Sequence, residues 1–255
     1  MIVLSPLTPI FVLLLGAFII LILGRVLPPV GGEVLAFLTL VIAAAALLLL
    51  RGTEAAISPP AGSFGLVYGV DAPAWLFALL FSLLGIAWLG RLESNSLHRA
   101  AQLGLLAGGL SFVFSADLLT LYLSWGLLDL GLFFLIITAE GDHTIDSIAS
   151  RVLVVNYLAG LALVGAAVFA SGNPSLPLKF LPGTLLALAL AVRAGLYPLH
   201  LGLPLRQRSG YIISAAAGLY LLARHEWPWS NQMITIGEIA FVVGAVLTWR
   251  GRDIR

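Results

Sequence analysis

The sequence has no cysteine and few charged residues. Without cysteine, the 255-residue chain can form no disulfide, iron–sulfur cluster or thiolate metal site. Charged residues make up only 10% of the chain, whereas soluble domains carry about 25%. The basic residues are scattered singly and form no tract that could follow a phosphate backbone. We therefore expect no redox chemistry, cofactor, metal site or catalytic residue in this chain, and no nucleic-acid partner.

What the sequence has instead is long apolar blocks. Residues 1–23, 34–50 and 72–90 carry no charge, and the mean hydropathy is +1.07. A helix needs about 20 apolar residues to cross about 30 Å of hydrocarbon. The pattern predicts an all-α polytopic membrane protein, with one transmembrane domain over residues 1–255 and nine spans. The predicted spans are residues 7–24, 33–51, 72–90, 97–115, 117–138, 150–171, 181–199, 209–224 and 232–249.

The basic residues predict an orientation in the membrane. When successive loops alternate between the two sides, nine basic residues fall on one side and three on the other. The positive-inside rule assigns the side with nine to the cytoplasm. We therefore expect the N-terminus outside and the C-terminus in the cytoplasm, in a bacterial or archaeal cytoplasmic membrane.

Ionisable residues inside predicted spans are costly and point to function. The clearest cases are Asp71, Asp117, Asp129, Arg193, His200 and Glu238. Asp129 and Arg193 lie near the middle of their spans, so we expect them to form an ion pair. That pair is either a static link between two helices or one element of a hydrated charge pathway. Asp71 and Asp117 lie at span starts, where a carboxylate favours the positive end of the helix dipole.

The stretch VRAGLYPLHLGLP, Val192–Pro204, predicts a break in the seventh helix. Pro198 and Pro204 each remove a backbone hydrogen-bond donor. Broken helices at membrane depth occur where they are buried in protein or line a water-filled cavity. His200 lies within the break, and its imidazole can exchange protons near neutral pH. The arrangement favours an ion path that includes Arg193 and His200.

The same stretch resembles the seventh-helix signature K-x-x-x-x-P-x-H-x-W-L-P of the antiporter-like membrane subunits of respiratory complex I. These subunits are related to Mrp-type cation/proton antiporters and to membrane-bound hydrogenase subunits. Residues 68–85, 117–136, 218–224 and 244–255 resemble the third, fifth, eighth and ninth helices of the family in the same order. The resemblance covers residues 66–255 and implies an ion pathway through Arg193, His200 and Asp129. The residues it implies in support are Asp71, Trp125, Pro198, Pro204, Tyr220 and Arg224.

Three departures from the family pattern bear on function. The family's fifth-helix glutamate falls on Gly126, its seventh-helix lysine on Arg193 and its eighth-helix lysine on Ala216. Arginine keeps its charge but cannot be deprotonated in proteins. Asp129 follows Gly126 by three residues, on nearly the same helix face, and we expect it to replace the glutamate as counter-charge. The chain ends after the ninth predicted span, so we expect only the first of the family's two repeats.

The resemblance implies an antiporter-like subunit of a complex I-like assembly, of the NADH–quinone oxidoreductase, Mrp or hydrogenase type. It would be associated with proton or sodium translocation, with other membrane subunits and the lipid bilayer as partners. An alternative is a non-pumping structural subunit, or a fragment, of such a protein. A remote alternative is an integral-membrane lipid enzyme, for which EGDHTID, residues 140–146, is the one candidate site.

Overall fold

The computed structural model describes residues 5–24, 26, 29–51, 56–57, 65–89, 95–138, 145–171, 181–193 and 208–224. In these ranges the chain forms eight α-helices and two short β-strands. The helices are α1 (Leu7–Leu23), α2 (Pro29–Leu49), α3 (Ala72–Leu89), α4 (Ser96–Phe114), α5 (Leu118–Ile137), α6 (Ile145–Ser171), α7 (Leu181–Arg193) and α8 (Arg208–Arg224). The strands β1 (Ala56–Ile57) and β2 (Tyr68–Gly69) lie between α2 and α3 and pair antiparallel.

Each of the eight described helices overlaps one of the first eight predicted spans, which confirms in outline that the chain is a helix bundle. α2 begins at Pro29 and α6 at Ile145, a few residues before the apolar blocks begin. Hydropathy marks the apolar part of a helix, and a helix can extend beyond it through polar residues or begin with a proline. The ninth predicted span, and the predicted break between residues 195 and 204, lie outside the described residues.

Three of the described helical segments are long and apolar enough to cross a membrane by length and composition alone. They are Val30–Leu49, Leu118–Ile137 and Ile148–Phe169. Shorter apolar segments lie in α1, α3, α7 and α8. α4 carries His98, Arg99 and Gln102 in its first two turns and belongs to neither group.

Helix α4 lies at the centre of the bundle. Of its 19 residues, all are buried except Ser96, Leu97 and Gly104. It packs against α1, α2, α3, α5 and α8. A helix that buries its whole circumference is surrounded by other helices and has no lipid-facing stripe. The polar residues of α4 therefore lie in the protein interior.

Helices α4 and α5 cross with their backbones in close contact. A Cβ at Gly108 would lie 2.7 Å from the Cα of Leu128, and one at Gly131 would lie 2.6 Å from the Cα of Leu105. The later residue of α4 lies against the earlier residue of α5, since Gly108 contacts Leu128 while Leu105 contacts Gly131. The two helices therefore run antiparallel. Glycine at both positions lets the two backbones approach more closely than any side chain would allow.

The two strands are a departure from the all-α prediction. A strand of two residues is too short to leave an alternating pattern in the sequence, so hydropathy gave no sign of it. Tyr68 of β2 forms an antiparallel bridge with Ser115, the residue that follows α4. The Tyr68 hydroxyl lies 3.0 Å from Ser111 Oγ, and Ser111 Oγ lies 2.7 Å from Ser124 Oγ in α5. This buried hydroxyl network fixes β2 to α4 and α5.

Candidate ion-pair site in the bundle interior

The site is centred on the ion pair between Arg193 in α7 and Asp129 in α5. Arg193 Nη1 donates a hydrogen bond to Asp129 Oδ1. The Arg193 side chain is 0% exposed and that of Asp129 is 4% exposed. The predicted contact between these two residues is confirmed. Each charge lies where it would be costly alone, and the pairing offsets part of that cost.

The helix periodicity explains why both residues face inward. Asp129 follows the buried Trp125 by four residues, and Arg193 follows the buried Ala189 by four. Residues four apart share a helix face, so both charges lie on the buried faces of their helices. Along α5, the same buried face carries Leu128 and Leu132.

Two aromatic rings flank the guanidinium group. Its Cζ atom lies 4.4 Å from the centre of the Trp125 ring and 5.5 Å from that of Phe112. The Trp125 and Phe112 ring centres are 5.9 Å apart, with 58° between their planes. Arg193 Nη2 also donates to the Trp125 carbonyl oxygen at 3.4 Å. A cation held over an aromatic face gains most when it is desolvated, as it is here.

Asn156 in α6 extends the site on the other side of Trp125. The Trp125 Nε1–H donates to the Asn156 carbonyl oxygen at 3.2 Å. Asn156 is 2% exposed, and its Nδ2 has no hydrogen-bond partner within the described part of the chain. Trp125 thus joins three helices, because its ring contacts α7, its indole nitrogen binds α6, and its backbone belongs to α5.

Sequence reasoning found Trp125 but missed Phe112 and Asn156. Phe112 is one of 13 phenylalanines in an apolar chain, so nothing in its local pattern separates it from a core residue. Asn156 could have been recognised from the sequence, since a carboxamide in the middle of an apolar span usually needs a buried hydrogen-bond partner.

The remaining predicted residues lie elsewhere or are not described. Asp71 Oδ1 accepts from the Ala74 N–H at 2.8 Å, and Asp117 Oδ1 accepts from the Thr120 N–H at 3.1 Å. These bonds confirm both aspartates as residues at helix starts. The Tyr220 hydroxyl donates to the Val113 carbonyl oxygen at 2.7 Å, which joins α8 to the end of α4.

Several predicted positions fall outside the described residues. They are Pro198, His200, Pro204 and Glu238, with residues 140–144 of the lipid-enzyme candidate. Arg224 ends α8, but its side chain is not described.

The position of the family's glutamate is open in this structure. A Cβ at Gly126 would meet no atom of the described residues within 4 Å. Gly126 directly follows Trp125, whose carbonyl oxygen binds the guanidinium group. A carboxylate introduced at this position therefore has space close to Arg193.

The described residues offer the site no metal. Within them, no three His, Cys, Asp or Glu side chains lie close enough together to hold a metal ion. The chemistry of the site is that of a buried pair of opposite charges in an aromatic enclosure. Because arginine does not release its proton, Arg193 can hold a charge but cannot serve as a proton donor.

Comparison with known proteins adds the family context. No protein-family model matches the sequence, and no curated protein matches it. Among solved structures, the fold matches a chain of respiratory complex I from Thermus thermophilus with bound aureothin, with a TM-score of 0.70 and 25% identity. The match covers 88% of this chain and 54% of that one. The chain has the fold of complex I-like membrane proteins.

A second match supports the same conclusion. It is a chain of the membrane-bound sulfane sulfur reductase, an archaeal respiratory membrane complex, with a TM-score of 0.68 and 18% identity over 84% of this chain. The resemblance to subunits of complex I-like assemblies that the sequence suggested is thereby confirmed, and the chain is an integral membrane protein with this fold. It spans about half the length of the complex I chain and 39% of the reductase chain.

Proposed function

We propose that this chain is an antiporter-like membrane subunit of a complex I-like assembly that translocates protons or sodium. Within it, the Asp129–Arg193 pair supplies fixed charges and does not carry protons. The observation that carries this proposal is the complete burial of Arg193 between Asp129 and two aromatic rings. A desolvated lysine can lose its proton and act as a relay, whereas arginine retains its charge.

Two further features support a role without ion transport by the chain alone. The family's fifth-helix glutamate and eighth-helix lysine fall on Gly126 and Ala216, and neither side chain can titrate. The Arg193 guanidinium is bound to Asp129 and to the Trp125 carbonyl oxygen, so its charge is held in place. A buried pair of opposite charges is kept, while the glutamate and the two lysines of the family pattern are replaced.

Ion flux in proteoliposomes tests this proposal directly. We expect the unmodified chain to pass no more protons or sodium than empty vesicles. Arg193→Lys combined with Gly126→Glu restores a lysine and a carboxylate, and is compared in the same vesicles. Flux through the unmodified chain that is abolished by His200→Ala would contradict the proposal and make the chain an active translocator.

A second experiment, independent of ion flux, tests whether the chain is a subunit of a complex I-like assembly. The tagged chain is isolated from its native membranes in a mild detergent, and the mass of the particle is measured. We expect a large complex that contains other membrane subunits and a redox-active subunit. Isolation of the chain alone, under conditions that keep other membrane complexes intact, would contradict the assignment to such an assembly.

A further inference from the structure

A chain of buried hydroxyl groups runs from β2 to the residues that precede the two rings around the guanidinium group. The Tyr68 hydroxyl lies 3.0 Å from Ser111 Oγ, which in turn lies 2.7 Å from Ser124 Oγ. Ser111 directly precedes Phe112, and Ser124 directly precedes Trp125. Tyr68 and the two serines are all buried. This hydroxyl chain (Tyr68, Ser111 and Ser124) therefore ends beside the aromatic enclosure (Phe112 and Trp125).

The bond between Ser111 and Ser124 belongs to the crossing of α4 and α5. It lies about one turn beyond the contact of Gly108 with α5, in the same antiparallel register as the contacts of Gly108 and Gly131. The glycines let the backbones approach, but apolar packing is non-directional and does not fix how far a helix is turned about its axis. A hydrogen bond has a preferred distance and angle. The serine bond therefore sets the rotation of α4 relative to α5.

The rotation of the two helices decides where the rings of Phe112 and Trp125 lie. The Arg193 Cζ atom is 4.4 Å from the centre of the Trp125 ring and 5.5 Å from that of Phe112. A cation is attracted to an aromatic ring when it lies within about 6 Å of the ring centre. Phe112 is near that limit, so a small rotation of α4 would take its ring out of reach of Arg193.

The backbone at β2 is bonded to α5 and to the residues between α4 and α5. The Val67 N–H donates to Thr120 Oγ1 in α5 at 2.8 Å. The Ala116 N–H donates to the Val67 carbonyl oxygen at 3.0 Å. These bonds hold Tyr68, the next residue, independently of its hydroxyl. The position of β2 therefore decides where the Tyr68 hydroxyl meets Ser111.

We propose that Tyr68 and Ser111 are positioning residues for the ion-pair site. The hydroxyl chain transmits the placement of β2 to the aromatic enclosure, and through it to Arg193. Coupling between two sites is reciprocal, so removing the charge pair changes how much the Tyr68 hydroxyl stabilises the protein. The coupling holds whether or not the chain translocates ions, so it goes beyond the proposed function and does not depend on it.

Fluorine NMR of the chain labelled with 5-fluorotryptophan tests the position of the Trp125 ring, because the resonance responds to nearby charges and rings. Trp125→Phe assigns the signal. We expect Tyr68→Phe and Ser111→Ala each to shift the Trp125 resonance. Ser82→Ala is the matched control, since the Ser82 hydroxyl is as buried as that of Ser111 but bonds to a carbonyl oxygen of its own helix, α3. A resonance that neither variant moves, or that Ser82→Ala moves equally, would overturn the proposal.

A double-mutant cycle tests the coupling without a spectroscopic label. Tyr68→Phe is made in the unmodified chain and in the Asp129→Asn/Arg193→Gln background. We expect it to lower the folding equilibrium constant by a factor at least about threefold larger in the unmodified chain, as for residues that share a network. Ser82→Ala should have the same effect in both. Equal effects of Tyr68→Phe in the two backgrounds would overturn the coupling. Neither measurement involves ion flux, so the proposed function stands or falls separately.

Discussion

Gly108 of α4 lies against the backbone of Leu128 in α5, so closely that a Cβ would come within 2.7 Å of the Leu128 Cα. Gly108→Ala must therefore push the two helices apart. We expect it to lower the free energy of unfolding by about 1–3 kcal/mol, as overpacking does in other cores. The measurement is thermal or denaturant unfolding in detergent micelles.

Gly104 provides the matched control on the same helix. Among the residues that the structure describes, no atom lies within 4 Å of a Cβ placed there. Gly104→Ala should leave stability unchanged or raise it by up to about 1 kcal/mol, because alanine favours the helix. A loss of equal size in both variants would show that the close crossing is not the cause.

The Asp129–Arg193 pair gives a prediction about coupling. Asp129→Asn or Arg193→Gln alone leaves one buried charge without its partner, and we expect a loss of about 3–5 kcal/mol for each. The double variant has no unpaired charge and should be more stable than either single variant. Unfolding of all four proteins under the same conditions completes the cycle. Additive losses would mean that the two residues do not interact.

The Trp125 ring gives a prediction about the aromatic enclosure. Trp125→Phe keeps a ring over Arg193 but loses the bond to the Asn156 carbonyl oxygen, so we expect a loss of about 0.5–1.5 kcal/mol. Trp125→Leu also removes the ring and should cost more. Part of that extra cost is the cation–π interaction, worth about 2 kcal/mol in a desolvated site.

The uncharged Asp129→Asn/Arg193→Gln background separates this interaction from simple loss of volume. In that background, the difference in stability between the Trp125→Leu and Trp125→Phe variants should be smaller by the value of the cation–π interaction. An unchanged difference would assign the whole effect to packing.

The open position at Gly126 predicts that the counter-charge can be moved. In an Asp129→Asn background, Gly126→Glu places a carboxylate beside the Trp125 carbonyl that binds Arg193. We expect it to recover about 1.5–3 kcal/mol of the lost stability, the value of a hydrogen bond to a charged group. Gly126→Gln has nearly the same shape without the charge and should recover much less. Equal stability of the two variants would show that the new side chain does not reach Arg193.

The orientation of the chain is tested with reporter fusions. Contacts of Gly210 with Leu105 and of Tyr220 with Val113 show that α4 and α8 run parallel, as expected when three spans lie between them. With nine spans, the two ends of the chain lie on opposite sides of the membrane. We expect a reporter at the N-terminus to report outside and one at the C-terminus to report the cytoplasm. Both ends on one side would contradict the nine spans.

The sequence predicted the positions of the helices and the pairing of Asp129 with Arg193, both for simple reasons. Apolar blocks of the required length have few alternatives to a membrane helix. Two opposite charges in the middle of different spans are far more stable together than apart. Both features follow from the residues of individual segments and from the apolar surroundings of the membrane. They can therefore be predicted without knowing how the helices are arranged.

The residues around the pair depend on that arrangement and could not be predicted. Phe112 contacts Arg193 only because α4 lies against α5 at Gly108 and Gly131. Hydropathy reports how apolar a helix is, and it does not say which neighbour each face meets.

The complete burial of α4 has a consequence for how the protein is made. A segment with His98, Arg99 and Gln102 is poorly soluble in lipid by itself, because each polar group would be exposed to hydrocarbon. The more apolar α2, α5 and α6 can each enter the bilayer independently. α4 becomes stable only once α1 and α5 surround it, although it precedes α5 in the chain. We therefore expect α4 to insert stably only after α5 has been synthesised. The order in which the helices are synthesised thus determines when α4 can take its place in the bundle.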